Sequence, residues 1–302
     1  MCVGGACVDR SYRVEGNIVF GSSNPAARAQ PLFGGVARNV SENLARLRIE
    51  TALVTVTGND VAGAVMLDEL RESGVNVDLV KTIEGVSDEY VALLERGELA
   101  LGAADMHAIE TLTVADLDRR WESIAGSAWL FVDCNVSAAI LEACADRRSI
   151  ARYKLAIDAV SEPKAQKLPP RLEAVDVLFI NEGEAQSYLG TSSDVCGEEL
   201  VAALLMRGAQ SVVLTSGERG MMCGDRASVT AIAASPAKRA SATGAGDALI
   251  AGTLWRLIAG DDLRDAATTG GELAALTLES ERSVRADLSP ALLDARLAAR
   301  SR

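Results

Sequence analysis

The stretch from Ser241 to Gly252 reads SATGAGDALIAG, with a carboxylate directly behind a glycine-rich bend. Gly244, Ala245 and Gly246 can turn their backbone N–H groups toward one point at the start of a helix read over Asp247–Ile258. Such donors, aided by the helix dipole, make an anion hole. In phosphoryl transfer the charge sits on equatorial oxygens, which is where these donors act. Asp247 then has a separate task beside the hole: to accept the proton of an attacking hydroxyl. The plain alternative is a tight loop whose aspartate caps a helix.

A second group lies upstream. GGVARNVSENLARL, Gly34 to Leu47, places two glycines ahead of a helix and Asn39 in its first turns. Glycine lets a ligand approach the backbone closely, and an amide both donates to and accepts from hydroxyls. Asp9 closes GGACVD, just past the first apolar run. A carboxylate and an amide at strand ends suit a vicinal diol, although Asp9 alone could cap a turn.

Short apolar runs at Cys2–Gly5, Ala52–Val56, Ala128–Val132, Leu155–Asp158, Val177–Ile180 and Val212–Thr215 read as buried strands. Helical patterns alternate with them at Val36–Leu47, Asp60–Ser73, Thr113–Ile124, Ala138–Arg147, Glu182–Leu189, Glu198–Arg207 and Asp247–Ile258. This alternation predicts an α/β fold with a mostly parallel sheet covered on both faces. One region departs from the rhythm. EYVALLE (Glu89–Glu95) and LALGAA (Leu99–Ala104) flank Arg96-Gly97-Glu98 as a hairpin, and Val14–Phe20 is read as another strand of the same small sheet. Such an insertion serves as a lid, a dimer contact or an ordinary edge hairpin. The segment PKAQKLPP (Pro163–Pro170) reads as a surface loop, so a single domain is expected over 1–302.

Composition narrows the chemistry. The formal charge of −12 argues against nucleic acid or anionic membrane as a main partner. No stretch of eighteen residues lacks a charge, and the N-terminus has no signal-peptide layout. Six scattered cysteines without a C-x-x-C pair are expected to be reduced thiols of a cytoplasmic protein. One histidine, His107, leaves no room for a His-rich zinc site and little for a Ser-His-Asp hydrolase. The dinucleotide fingerprint fails at Leu249, and no P-loop occurs.

GGACVD, GGVARN, N-E-G-E (Asn181–Glu184) and ATGAGD occur in an order and spacing that resemble the ribokinase-like carbohydrate kinases of the phosphofructokinase-B type. Within that family the resemblance is strongest to the pseudouridine kinase branch, through SSNPA (Ser22–Ala26), ADMHAIE (Ala104–Glu110), FVDCNVS (Phe131–Ser137) and IDAVSEPK (Ile157–Lys164). The resemblance implies a three-layer α/β/α fold with a small β lid at about 12–20 and 87–106. It implies Asp247 as the base for a 5′-hydroxyl and Gly244, Ala245 and Gly246 as the anion hole. Asp9, Gly34, Gly35 and Asn39 would hold ribose hydroxyls, Asn24 would reach the base, and Asp105 and Asn135 would join the pocket. Asn181 and Glu184 would serve ATP and Mg2+ (the glutamate through water), with Thr215, Ser216 and Gly217 lining the ATP site. A homodimer through the lid is expected on separate grounds, since exposed β edges tend to find partners. Three positions depart from the family pattern: Arg48 stands where glycine is usual, Ala104 replaces an asparagine, and Ser241 replaces an aspartate that helps bind a monovalent cation. Potassium dependence therefore stays open. So do two alternatives to phosphorylation of pseudouridine: another sugar or nucleoside acceptor, and a nucleoside-binding protein without catalysis.

Overall fold

A computed structural model describes residues 1–238 and 244–300. Its main sheet has nine strands, in the order Val229–Ile232, Met221–Asp225, Ser211–Thr215, Val177–Asn181, Lys154–Asp158, Trp129–Asp133, Cys2–Val3, Thr51–Val54 and Val75–Asn76. Pairing is parallel from Ser211–Thr215 onward, and Met221–Asp225 is the one reversed strand, antiparallel to both of its neighbours. Side chains alternate across the sheet. Leu130, Val132, Leu155, Ile157, Leu178 and Ile180 enter one core, whereas Phe131, Ala156, Val177 and Phe179 enter the other. This is why the strands read as unbroken apolar runs: both faces are covered. Helices Ala138–Asp146, Glu182–Leu189 and Glu198–Met206 cover the first face. Helices Val36–Arg46, Val61–Glu72, Ala245–Ala259 and Leu263–Leu278 cover the second.

The small sheet has five strands. Glu98–Asp105, Glu89–Glu95, Cys7–Val14 and Ala26–Arg28 lie in that order, and Leu32–Gly34 pairs with Cys7–Val14. The expected hairpin is present, with a two-residue turn, Arg96-Gly97, in which both φ values are positive (53° and 90°). The expected strand at Val14–Phe20 is not: the lid strand is Cys7–Val14, and the chain beyond it is loop. Gly16 at φ 91° turns the chain out of the ladder there. The Thr113–Ile124 helix is also corrected, to Val114–Asp118 and Trp121–Ala125. The Arg120 guanidinium donates to the Asp116 carbonyl at 2.8 Å, and the Arg120 N–H bonds Leu117 instead at 3.0 Å. That tightens the turn and ends the first helix. Within Pro163–Pro170, read as surface loop, a short helix Glu162–Ala165 intrudes, and Leu168 is buried.

Arg48 is in the left-handed conformation (φ 65°) just after the Val36–Arg46 helix. The Ile49 N–H reaches back to the Leu44 carbonyl at 3.0 Å, a C-terminal closure that glycine makes without strain. Among the described residues no helix is long and apolar enough to cross a membrane. All six cysteines are free thiols, and only Cys196 is exposed.

Candidate active site

The parallel strands end along one edge, and there the chemistry collects. Asp133, Asp158, Asn181 and Thr215 close four adjacent strands, in register with one another or nearly so. Ligands bind beyond the carboxyl ends of such strands. Cys2–Val3 also ends here, and the chain passes through Gly4 and Gly5 into the lid strand that carries Asp9.

The glycines at this crossing are set by packing. A Cβ on Gly34 would lie 2.2 Å from the Asp9 carboxylate, and one on Gly35, which has φ 95°, would lie 2.5 Å from the Gly5 carbonyl oxygen. Gly34 thus makes room for Asp9 itself. Gly35 lets the Val36–Arg46 helix start against the backbone of Gly5 and Ala6. In its first turn Asn39 donates from Nδ2 to Asp247 Oδ2 at 2.7 Å, across 208 residues of sequence.

Asp247 lies in the first turn of the Ala245–Ala259 helix, which begins two residues earlier than the sequence pattern implied. Gly244 precedes that helix in left-handed conformation (φ 81°), and a Cβ there would lie 2.2 Å from the Ser283 carbonyl oxygen. The N–H groups of a first turn have no acceptor within the helix. Gly246 is exposed, with open space where a side chain would be, so the bend is accessible to a ligand. The residues from 239 to 243, including Ser241, lie outside the described residues.

Loss of hydration pushes the Asp247 carboxyl up to about 7, and Asp133 and Asp9 add repulsion. The Asn39 amide and the Arg38 guanidinium oppose that rise. Burial likewise raises Asp9 to about 6, against the Cys7 thiol, 3.5 Å away, and Arg38. Burial also raises Asp133 and Asp158. Asp133 is fully buried and accepts N–H groups from Gly5 (3.0 Å), Ala37 (2.8 Å) and Asn135 (2.9 Å). It ties the crossing strand, the Asn39 helix and its own loop together. Lys164 donates to Asn135 Oδ1 at 2.5 Å and is pushed down by burial, with Asp133 opposing.

A cavity of about 1090 Å³ opens above Asp9, lined by Ser11, Arg13, Tyr90 and Leu94 of the lid and by Arg282 and Ser283. The lid's opposite face carries a smaller one of about 320 Å³, lined by Tyr12, Val14, Ile18, Val91 and Leu93. Asn24 lines that second cavity, and its amide is engaged with the backbone of Val19 and Ser22. Within one chain it therefore stands apart from the Asp247 group. Asp105 is exposed at the end of its lid strand and accepts from the His107 N–H at 3.2 Å.

Asn181 and Glu184 form a reciprocal cap on the Glu182–Leu189 helix. Asn181 donates from Nδ2 and N to the two Glu184 oxygens at 2.7 and 2.9 Å. Glu184 is buried, and burial raises its carboxyl. Each oxygen keeps an acceptor site. Among the described residues no three His, Cys, Asp or Glu side chains converge as a metal cage. Glu184, with an acceptor site left on each oxygen, fits Mg2+ held chiefly by phosphates and water. Thr215 ends its strand beside Asn181; Ser216 donates to Glu182 at 2.9 Å, and Gly217 turns the chain at φ 59°.

Asp133, Asp158 and Lys164 join the site from within FVDCNVS and IDAVSEPK without a chemical pattern of their own. A usable signal existed: each aspartate directly ends an apolar strand.

A mostly parallel sheet, a β lid, and a carboxylate behind a glycine-started helix define a class of small-molecule kinase. The family model described as pfkB family carbohydrate kinase matches residues 1–288, and the chain belongs to that family. Among curated relatives, pseudouridine kinase of Escherichia coli (strain K12) is 28% identical over 295 residues, covering 95% of this chain and 92% of its own. Guanosine-inosine kinase of Exiguobacterium acetylicum is 27% identical, covering 87% and 88%. A solved carbohydrate kinase from Agrobacterium tumefaciens superposes with a TM-score of 0.84 at 30% identity, over 98% of this chain and 96% of that one. The fold is the expected ribokinase-like α/β/α arrangement, and the chain is a kinase of the carbohydrate and nucleoside type.

Proposed function

We propose that the protein transfers the γ-phosphoryl group of ATP to the 5′-hydroxyl of pseudouridine. One observation carries the catalytic half: Asp247 is held by Asn39 in the open first turn of its helix, close enough to Asp9 for the two carboxylates to repel. Asp247 takes the hydroxyl proton as the oxygen attacks. The N–H groups of Gly244, Ala245 and Gly246 meet the charge on the transferred group. Asp9 and Asn39 bind the ribose hydroxyls, while Asn181, Glu184 and the Thr215–Gly217 turn serve ATP. Mg2+, bound through the phosphates with Glu184 holding its waters, would neutralise phosphate charge.

The substrate half is supported by the quoted motifs together with near full-length similarity to the Escherichia coli pseudouridine kinase. The similarity to guanosine-inosine kinase favours a second reading, a different nucleoside acceptor. Incubation with Mg-ATP and pseudouridine, uridine, guanosine, adenosine, ribose or fructose, followed by ADP release, separates them. Pseudouridine should give the highest kcat/KM. Preference for another acceptor overturns the substrate, and no turnover with any overturns catalysis in favour of a binding protein.

Two further readings belong here. The strand Glu98–Asp105 is exposed along its whole length, and Leu99, Leu101 and Phe20 are exposed on the lid. An unpaired apolar edge seeks a partner, so the lid is the proposed homodimer contact. Uncrosslinked thiols and a nucleotide co-substrate support work in the cytoplasm.

A further inference from the structure

Behind Asn39 lies a buried charged group that the proposed reaction does not use. Arg38 is 3% exposed, deep for a guanidinium. Its Nη2 meets Glu42 at 2.7 Å. Its Nη1 donates to Asn39 Oδ1 at 3.0 Å and to the Phe33 carbonyl at 3.2 Å. Glu42, also buried, is shared with Arg46, whose Nη2 is 2.7 Å away. Glu69 of the Val61–Glu72 helix and Asp9 also bear on Arg38, and its guanidinium lies on the Asn39 side of the helix, toward the acidic edge of the sheet.

An amide has one acceptor end and one donor end. Asn39 touches a donor-only group, Arg38, and an acceptor, Asp247. Only one orientation satisfies both. With the amide reversed, its NH2 would face a guanidinium and its oxygen a carboxylate. We propose that Arg38 is a positioning residue for phosphoryl transfer: it fixes the amide of Asn39 so that the amide nitrogen meets the Asp247 carboxylate, and it supplies the charge that keeps Asp247 in its proton-accepting form. The inference rests on the kinase reading for its consequence, but not for its geometry.

The groups facing Asp247 are Asp9 from the lid strand, Asp133 and Asp158 from the ends of their strands, and Arg38 and Asn39 from the Val36–Arg46 helix. Three are acidic, so Arg38 is the cation among these neighbours, and Lys164 bears on Asp133 instead. Removing Arg38 should hold the proton on Asp247 to higher pH. Removing the Glu42 charge should do the reverse, because Arg38 is then less neutralised. A purely structural role predicts no such opposition of sign.

The test uses the full chain with Arg38→Met, Arg38→Lys and Glu42→Gln. Carboxyl-carbon NMR of the unliganded protein follows the Asp247 titration, assigned by the signal lost in Asp247→Asn. Melting curves establish that each variant is folded. The midpoint should rise by half a unit or more in Arg38→Met, less in Arg38→Lys, and fall in Glu42→Gln. The acid limb of kcat/KM should move the same way, with Arg38→Met losing tenfold or more at pH 6 and recovering part of it by pH 8.5. An unmoved midpoint in a folded Arg38 variant overturns the proposal, as does a shift of the same sign in Glu42→Gln. Should no acceptor be phosphorylated, the kinase reading fails, while the NMR titration still decides the role of Arg38.

Discussion

Asp247→Asn gives a test in which activity and stability should move in opposite directions. The side chain keeps its shape and its oxygen can still accept from Asn39, but it can neither ionise nor take a proton. As the base for the attacking hydroxyl, its loss should lower kcat by roughly 10²–10⁴-fold, about 3–5 kcal/mol in the barrier. The stability term follows from linkage. The folded carboxyl is raised from 3.8 to about 7, so the fold favours the protonated form. Above pH 7 both folded and unfolded chains hold it ionised, and the folded state bears the whole cost, at most about 4 kcal/mol. At pH 5 the folded carboxyl is mostly protonated, and less than half of that cost remains. Below 3.8 it vanishes. Asparagine avoids the cost, so the variant should be more stable than the parent at pH 8, by an amount that more than halves by pH 5. Urea unfolding followed by circular dichroism at the two pH values reads one arm, and ADP release reads the other. Near-normal turnover would refute the base assignment. An unchanged or lowered stability at pH 8 would refute the buried-carboxylate argument.

Other expectations address other parts of the site. Activity of the parent should rise with pH through about 7 on the acid side, following ionisation of Asp247, and a flat kcat/KM profile between pH 5.5 and 8 contradicts this. Asn39→Ala should weaken the acceptor nucleoside but not ATP, and equal losses by calorimetry count against a sugar role. Glu184→Gln keeps one of the two bonds from Asn181 and sets an amide NH2 against the other donor, so it should cost about 1–2 kcal/mol in stability while the Mg2+ needed for half-maximal rate rises several-fold. Asp133→Asn would turn an amide NH2 toward at least one of the three backbone donors and should cost about 1–3 kcal/mol in urea unfolding. Arg48→Gly removes left-handed strain from a side chain at φ 65° and should stabilise by about 0.5–1 kcal/mol.

Much of this was legible in the chain, and the failures have physical causes. Parallel strands buried on two faces leave unbroken apolar runs, so the six expected strands are all present. The lid is wet on one side and its strands mix polarity. Arg10 pairs with Glu89, and Ser11 and Arg13 face the cleft, so Cys7–Val14 carries no apolar run while the loop after it, with Ile18, Val19 and Phe20, does. That misled the strand boundary. Asp133 escaped notice because a buried carboxylate that accepts three N–H groups has no local pattern; its donors lie 128 and 96 residues away as well as two. N-E-G-E is both a helix cap and a candidate phosphate-side carboxylate, and the two uses have the same spacing.

The remaining question is why so many carboxylates are tolerated at one edge. Asp9, Asp133, Asp158 and Asp247 each have a raised proton affinity, and in each case burial is the largest cause. Repulsion from neighbouring carboxylates adds to it at Asp158 and Asp247, so the edge cannot hold full charge on every member near neutrality. Two cations beside this edge divide the burden: Arg38 bears on Asp9 and Asp247, and Lys164 on Asp133. The result is a base poised near neutral pH, not a permanently ionised aspartate. An aspartate at its ordinary value would be a weak acceptor for an alcohol proton, and one raised far above 7 would be blocked by its own. The crowding that destabilises the fold therefore tunes the base. Relief of that crowding at a neighbour, as in Asp9→Asn, should lower the acid limb of the rate profile even where it weakens acceptor binding, and a limb that rises instead would show that Asp9 does not act on Asp247 through charge.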